Sequence, residues 1–189
     1  KDVVKSVERI ALQEGITDEG LFLLKTAALF HDAGFLKQYD SKETIGAKMA
    51  SDILPKYGYT EQHINTIVKL IHVTEIPHKP LNHLQEIICD ADLDYLGRND
   101  FQEIADKLKA ELKTMNKITS DRKWDETQVK FLNQHTYFTS SAIKSRSQKK
   151  QENLAVIIAR LEENNYTDYS IGSLSFLVLR HFSHSPFFS

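Results

Sequence analysis

Apolar residues recur at helical spacing along most of the chain. Val3, Val4, Val7, Ile10, Ala11 and Leu12 form one stripe with Glu8 and Arg9 outside it, and Gly15 marks its stop. Thr17 or Asp18 then caps a far more apolar run, Leu21 to Phe30, in which Lys25 is the only charge, so this helix is expected to be buried nearly all round. Beyond Gly34 a loop through Tyr39 leads to Ser41, a cap with Glu43 in the first turn behind it. The helix that follows carries Ile45, Ala47, Met49, Ala50, Ile53 and Leu54 and meets Pro55, which a late helical turn tolerates poorly. Thr60 caps a further helix through Ile64, Ile67, Val68, Leu70 and Ile71, and Pro77 and Pro80 force the next connection out of helix.

Leu84, Ile87, Ile88, Ala91, Tyr95 and Leu96 give another apolar arc, expected to stop near Gly97. Asp100 caps a segment bearing Phe101, Ile104, Leu108 and Leu112. Trp124, Val129, Phe131, Leu132, Tyr137 and Phe138 predict a long aromatic helix, read as core or dimer surface, and a last helix centres on Leu154, Ile157, Ile158 and Leu161. No stretch sustains strand alternation, so the expected class is all-α. Residues 1–163 read as one domain. Residues 164–189 differ, with Asp168 their only acidic residue, many serines and aromatics, and an apolar patch at Leu174 and Phe176 to Leu179; they read as a flexible or docking tail, whose His181 and His184 make poor metal ligands.

Polar residues in the wrong place carry the chemistry. The apolar run through Thr26-Ala-Ala-Leu-Phe ends in His31 and Asp32, followed by Ala33 and Gly34. A buried charge must be paired or must hold a metal, and an imidazole beside a carboxylate is a donor set suited to divalent ions. A second stretch places Asp90, Asp92 and Asp94 two residues apart. At 100° per residue Asp92 falls within the apolar arc, whereas Asp90 and Asp94 share the opposite side with Glu86 and read as a solvated face. Asp92 is therefore the inward carboxylate, with Asp90 the alternative if the helix is irregular. A cation shared by His31, Asp32 and Asp92 accounts economically for polar side chains facing inward.

Composition narrows the class. At 189 residues, 41% of them hydrophobic, the chain can bury a sizeable core. The net charge of −2 lacks a polyanion-binding signature, which argues against nucleic acid as an obligate partner. The single cysteine, Cys89, excludes an intramolecular disulfide framework and reads as inert core in a reducing cytoplasm. No apolar run is long enough to cross a bilayer.

Together these stretches resemble the HD superfamily of metal-dependent phosphohydrolases, in particular its small bacterial group. The resemblance rests on Thr26-Ala-Ala-Leu-Phe-His-Asp-Ala-Gly-Phe35, Glu43 ahead of Ala47 to Leu54, Cys89-Asp-Ala-Asp-Leu-Asp-Tyr-Leu-Gly-Arg98, and Trp124 with Phe131-Leu132 and Tyr137-Phe138-Thr139, running to about Glu163. It implies a multi-helix bundle with the metal between its central helices, ligands at His31, Asp32 and Asp92, and catalytic roles for Asp32 and Glu43. Glu43 would accept a proton from water or orient it, although a first-turn glutamate is also favoured by the helix dipole. It further implies a cofactor among Mn, Mg, Zn, Fe, Co and Ni, and a phosphate mono- or diester, such as a nucleotide, as substrate. His72 lies where other branches carry a ligand for a second metal. Arg98, with Arg146 and Lys150 as alternatives, is the candidate phosphate grip. The family's first ligand, a histidine on the first helix, has no counterpart ahead of His31 and is expected just upstream of Lys1. The competing reading is a non-catalytic signalling or scaffold domain of the same fold.

Overall fold

The structure is a computed structural model, and it describes residues 2–36 and 41–163. The expected tail at 164–189 and the loop residue Tyr39 lie outside the described residues. The regular structure is all-α: eight helices, three short 3-10 helices, and no strand among the described residues.

Two compact units divide the chain. Among the described residues, the first comprises 2–36, 41–98 and 137–148, the second 99–136 and 149–163. In the first unit α1 (Asp2–Gln13), α2 (Asp18–Phe30), α3 (Lys42–Ile53), α4 (Glu61–His72) and α5 (His83–Asp92) pool their apolar stripes. Val7, Ile10, Leu24, Ile67, Ile71, Ile87 and Ile88 are fully buried there in one cluster. Removing such side chains from water supplies the main driving force for folding.

Several boundaries follow expected local signals. Gly15 adopts a left-handed φ of +75° after α1, and Gly58 one of +78° before α4. Thr60 caps α4, its hydroxyl accepting from the His63 N–H while His63 reaches back to the Thr60 N–H. Ser41 occupies the N-cap of α3 but makes no side-chain cap bond, because its own backbone is left-handed.

Three expectations need correction. Helix α2 is not buried all round, since Leu29 is 64% exposed and Phe22 stacks on Tyr59 near the surface. Helix α5 stops at Asp92 rather than near Gly97, and a 3-10 helix, Asp94–Gly97, replaces its last turn. The aromatic helix α7 (Asp121–Gln134) ends before Tyr137 and Phe138, which lie in the connection to α8 (Ser140–Glu163).

The second unit contains α6 (Phe101–Thr114), α7 and the later turns of α8. Its buried apolar residues include Phe101, Trp124, Leu132, Leu154 and Ile157, and a paired contact of Arg160 with Asp125 at 2.6 and 2.8 Å ties α8 to α7.

Candidate metal centre

The site forms where α2 ends, α3 begins and α5 ends. His31 is the C-cap of α2, its backbone N–H bonding to Ala27 O, and only 4% of the residue is exposed. Two glycines bring the flanking backbones into contact. A Cβ on Gly46 would lie 2.4 Å from Phe30 O, and one on Gly34 would lie 2.0 Å from Lys42 O. Only glycine permits such an approach of α3 to the end of α2 and to the turn that carries Asp32.

The side chains converge from far apart in sequence. Among the described residues, one group of three potential ligands comes together, His31, Asp32 and Asp92, with donor atoms all within 4.8 Å of one another. His31 Nε2 lies 3.0 Å from Asp32 Oδ2 and 3.3 Å from Asp92 Oδ1. The other ring nitrogen settles the tautomer. Nδ1 lies 2.8 Å from Ala28 O, and because a carbonyl only accepts, Nδ1 carries a proton. In a neutral ring Nε2 then presents a lone pair to two carboxylates. It is buried and makes no properly directed hydrogen bond to either.

Such a nitrogen needs a proton or a cation. Without a metal, burial disfavours the imidazolium, but Asp32 and Asp92 outweigh it and raise the His31 pKa to about 10. Burial likewise opposes the charge of Asp92, yet His31, His78 and Lys42 hold its pKa well below the carboxylate range. Asp32 is lowered too, against burial, by His31 and Lys42. The donor set fits a divalent cation. Asp32, Asp92 and Glu43 face one ammonium, Lys42, so with a neutral His31 two negative charges stand uncompensated.

Two members of the site escaped the sequence reading. The side chain of His78 is 5% exposed, and its Nε2 lies 3.6 Å from Asp92 Oδ2 and 3.2 Å from Thr74 O. Its Nδ1 is buried without a hydrogen-bond partner. The only signal was a histidine confined between Pro77 and Pro80 in a short connection. Lys42 places its ammonium 2.6 Å from Asp32 Oδ1 and 2.9 Å from Glu43 Oε1. Glu43 itself is buried next to Lys42 and is not in the group of three.

The remaining candidates lie elsewhere. Asp90 and Asp94 are not solvated: they are 0% and 2% exposed. Asp90 accepts the backbone N–H groups of Phe138 and Thr139 and the Thr139 hydroxyl, at 2.7 to 3.2 Å, and so caps the entry to α8. Burial raises its pKa in spite of those bonds. Asp94 lies beyond the end of α5, so helical phase no longer governs it, and it pairs with Arg9 and Arg146. Arg98 pairs with Asp2 at 2.6 Å. Lys150 is buried in the second unit, where its ammonium donates to the carbonyls of Leu132 and His135. His72 is exposed on the last turn of α4 and lines an open cavity of about 650 Å³ with Lys69, Ile76, Lys79 and Leu81. Cys89 is fully buried, and burial pushes its thiol pKa up, as expected of inert core.

Comparison of the chain with models of known families, with curated proteins and with solved structures finds no match. No helix of the described residues is long and apolar enough to cross a membrane.

Proposed function

We propose that the chain is a metal-dependent phosphohydrolase of the HD type, acting on a phosphate mono- or diester. One observation carries the reading. With Nδ1 committed to Ala28 O, His31 directs Nε2 at two carboxylates without a hydrogen bond to either, which is the arrangement of an imidazole fixed for metal ligation by a carbonyl on its other nitrogen. His31, Asp32 and Asp92 would hold the ion. A divalent cation supplies Lewis acidity, polarising a phosphoryl oxygen and lowering the pKa of a coordinated water.

The protein's own part is placement and charge. The Ala28 carbonyl fixes the ring of His31, and the close approach at Gly34 and Gly46 fixes Asp32 against α3. Glu43, in contact with Lys42, would be the residue to take up a proton on that side. His78 faces the other carboxylate oxygen of Asp92, Oδ2, at 3.6 Å. The choice of nucleotide as substrate rests on the family resemblance alone.

The second reading is a metal-free helical scaffold, favoured by the Lys42 contacts that already satisfy Asp32 and Glu43. Elemental analysis of the purified protein together with hydrolysis of a generic aryl phosphate separates the two. Stoichiometric transition metal with metal-dependent hydrolysis supports the enzyme. Full-length protein with an intact upstream histidine that takes up no Mn or Zn and hydrolyses nothing supports the scaffold.

A further inference from the structure

We propose that Lys42 is the residue that recognises the anionic group of the substrate, and that the same ammonium weakens the hold of the site on its cation. This inference rests on the metal-centre reading above. The three basic side chains that the sequence offered for phosphate are engaged elsewhere: Arg98 with Asp2, Arg146 with Asp94, and Lys150 with the backbone of the second unit. Among the described residues, Lys42 is a cation that contacts one of the candidate ligands, Asp32, directly.

Its position is built rather than incidental. Lys42 is the first residue of α3, and its backbone lies against Gly34 so closely that a Cβ there would overlap its carbonyl. Its ammonium contacts Asp32 Oδ1 and Glu43 Oε1 and sits 5.0 Å from the centre of the Phe35 ring. The side chain is 21% exposed and so is not sealed from solvent. Asp32 is thereby shared, Oδ2 facing His31 and Oδ1 facing Lys42. A cation on Asp32 shares that carboxylate with a positive charge already in place, which weakens its binding. An anionic oxygen arriving beside the cation gains the ammonium as a donor, as a compact lysine charge suits phosphate.

The test compares the parent with Lys42→Met and Lys42→Arg, using Mn²⁺ alone and then inorganic phosphate on the Mn²⁺-loaded protein, both by isothermal titration calorimetry. Lys42→Met is expected to bind Mn²⁺ about tenfold more tightly and phosphate about tenfold more weakly, a change of about 1.4 kcal/mol in each direction. Lys42→Arg keeps the charge and is expected to retain phosphate binding, and it serves as the folded control should Lys42→Met fail to fold. In that event weakened phosphate binding by Lys42→Gln decides the matter. Mn²⁺ binding that is unchanged or weaker in the neutral variant overturns the inference while leaving the metal centre intact, and so does unchanged phosphate binding. Absence of Mn²⁺ binding in the full-length parent, with the expected upstream histidine present, and in every variant made in it overturns the metal centre and this inference together.

Discussion

His31 Nε2 lies 3.3 Å from Asp92 Oδ1, although the two residues are 61 positions apart and belong to different helices. Because Ala28 O holds the proton on Nδ1, this contact depends on what occupies Nε2. A divalent ion that binds only the folded state stabilises it by mass action, roughly 3 to 4 kcal/mol at a hundred to a thousand times its dissociation constant. The melting temperature is therefore expected to rise with added Mn or Zn and to fall with chelator. His31→Ala is expected to make the melt indifferent to both and to abolish phosphatase activity. A full-length parent protein, carrying the expected upstream histidine, that ignores metal and chelator alike would sink the reading.

Asp92 and Asp94 are both shielded from water, but they answer to different partners. Asp92→Ala is expected to abolish tight metal binding. Asp94→Ala is expected to keep the metal while losing roughly 3 kcal/mol of stability, since it strands Arg9 and Arg146, which are themselves only partly exposed. Metal content and urea unfolding of the two variants check this; loss of metal in Asp94→Ala alone would reverse the assignment.

Gly46 and Gly58 offer a contrast between space and conformation. A Cβ on Gly46 meets the Phe30 carbonyl, so Gly46→Ala is expected to push α3 from the end of α2, costing on the order of 1 to 3 kcal/mol and weakening metal binding. At Gly58 the surroundings are open and only the positive φ is strained. Gly58→Ala is expected to cost about 1 kcal/mol and to leave the metal affinity untouched. Denaturant titrations with and without Mn²⁺ distinguish the two effects.

Glu14 supplies a pH-dependent contribution away from the metal. Its carboxylate accepts the Ser141 backbone N–H at 2.7 Å, at the start of α8, and this bond is the main reason its pKa is lowered. A carboxylate whose folded pKa lies below the unfolded value of about 4.3 stabilises the fold above that value, and the gain is lost as pH falls through the folded pKa. Glu14→Gln is expected to be less stable than the parent at pH 7 and to converge with it in acid. Thermal melts across that range measure the difference, and a gap that persists undiminished below the folded pKa would contradict the assignment.

The helical class was legible from periodicity because each buried stripe repeats at the spacing of its own helix, and so were several boundaries, such as Thr60 at α4 and Gly15 after α1. His31 and Asp32 stood out as polar residues closing an apolar run, and Asp92 stood out by helical phase. That phase holds only while the helix lasts. It misplaced Asp94, which follows the end of α5, and it could not anticipate that the segment at Phe138 and Thr139 covers Asp90 and turns an apparently solvated aspartate into a buried cap.

What the chain determined by itself was therefore the set of helices and the residue types able to bind a cation. Tertiary structure alone decided which of them meet. Lys42 and His78 lie in a helix start and a proline-bounded connection, where no periodicity points a side chain anywhere. They reach Asp32 and Asp92 because packing, with Gly34 and Gly46 permitting contact between backbones, brings separate elements together. Local spacing encodes which face of a helix is apolar, but the distance between two carboxylates on different helices depends on how those faces pack, and that is a property of the whole fold.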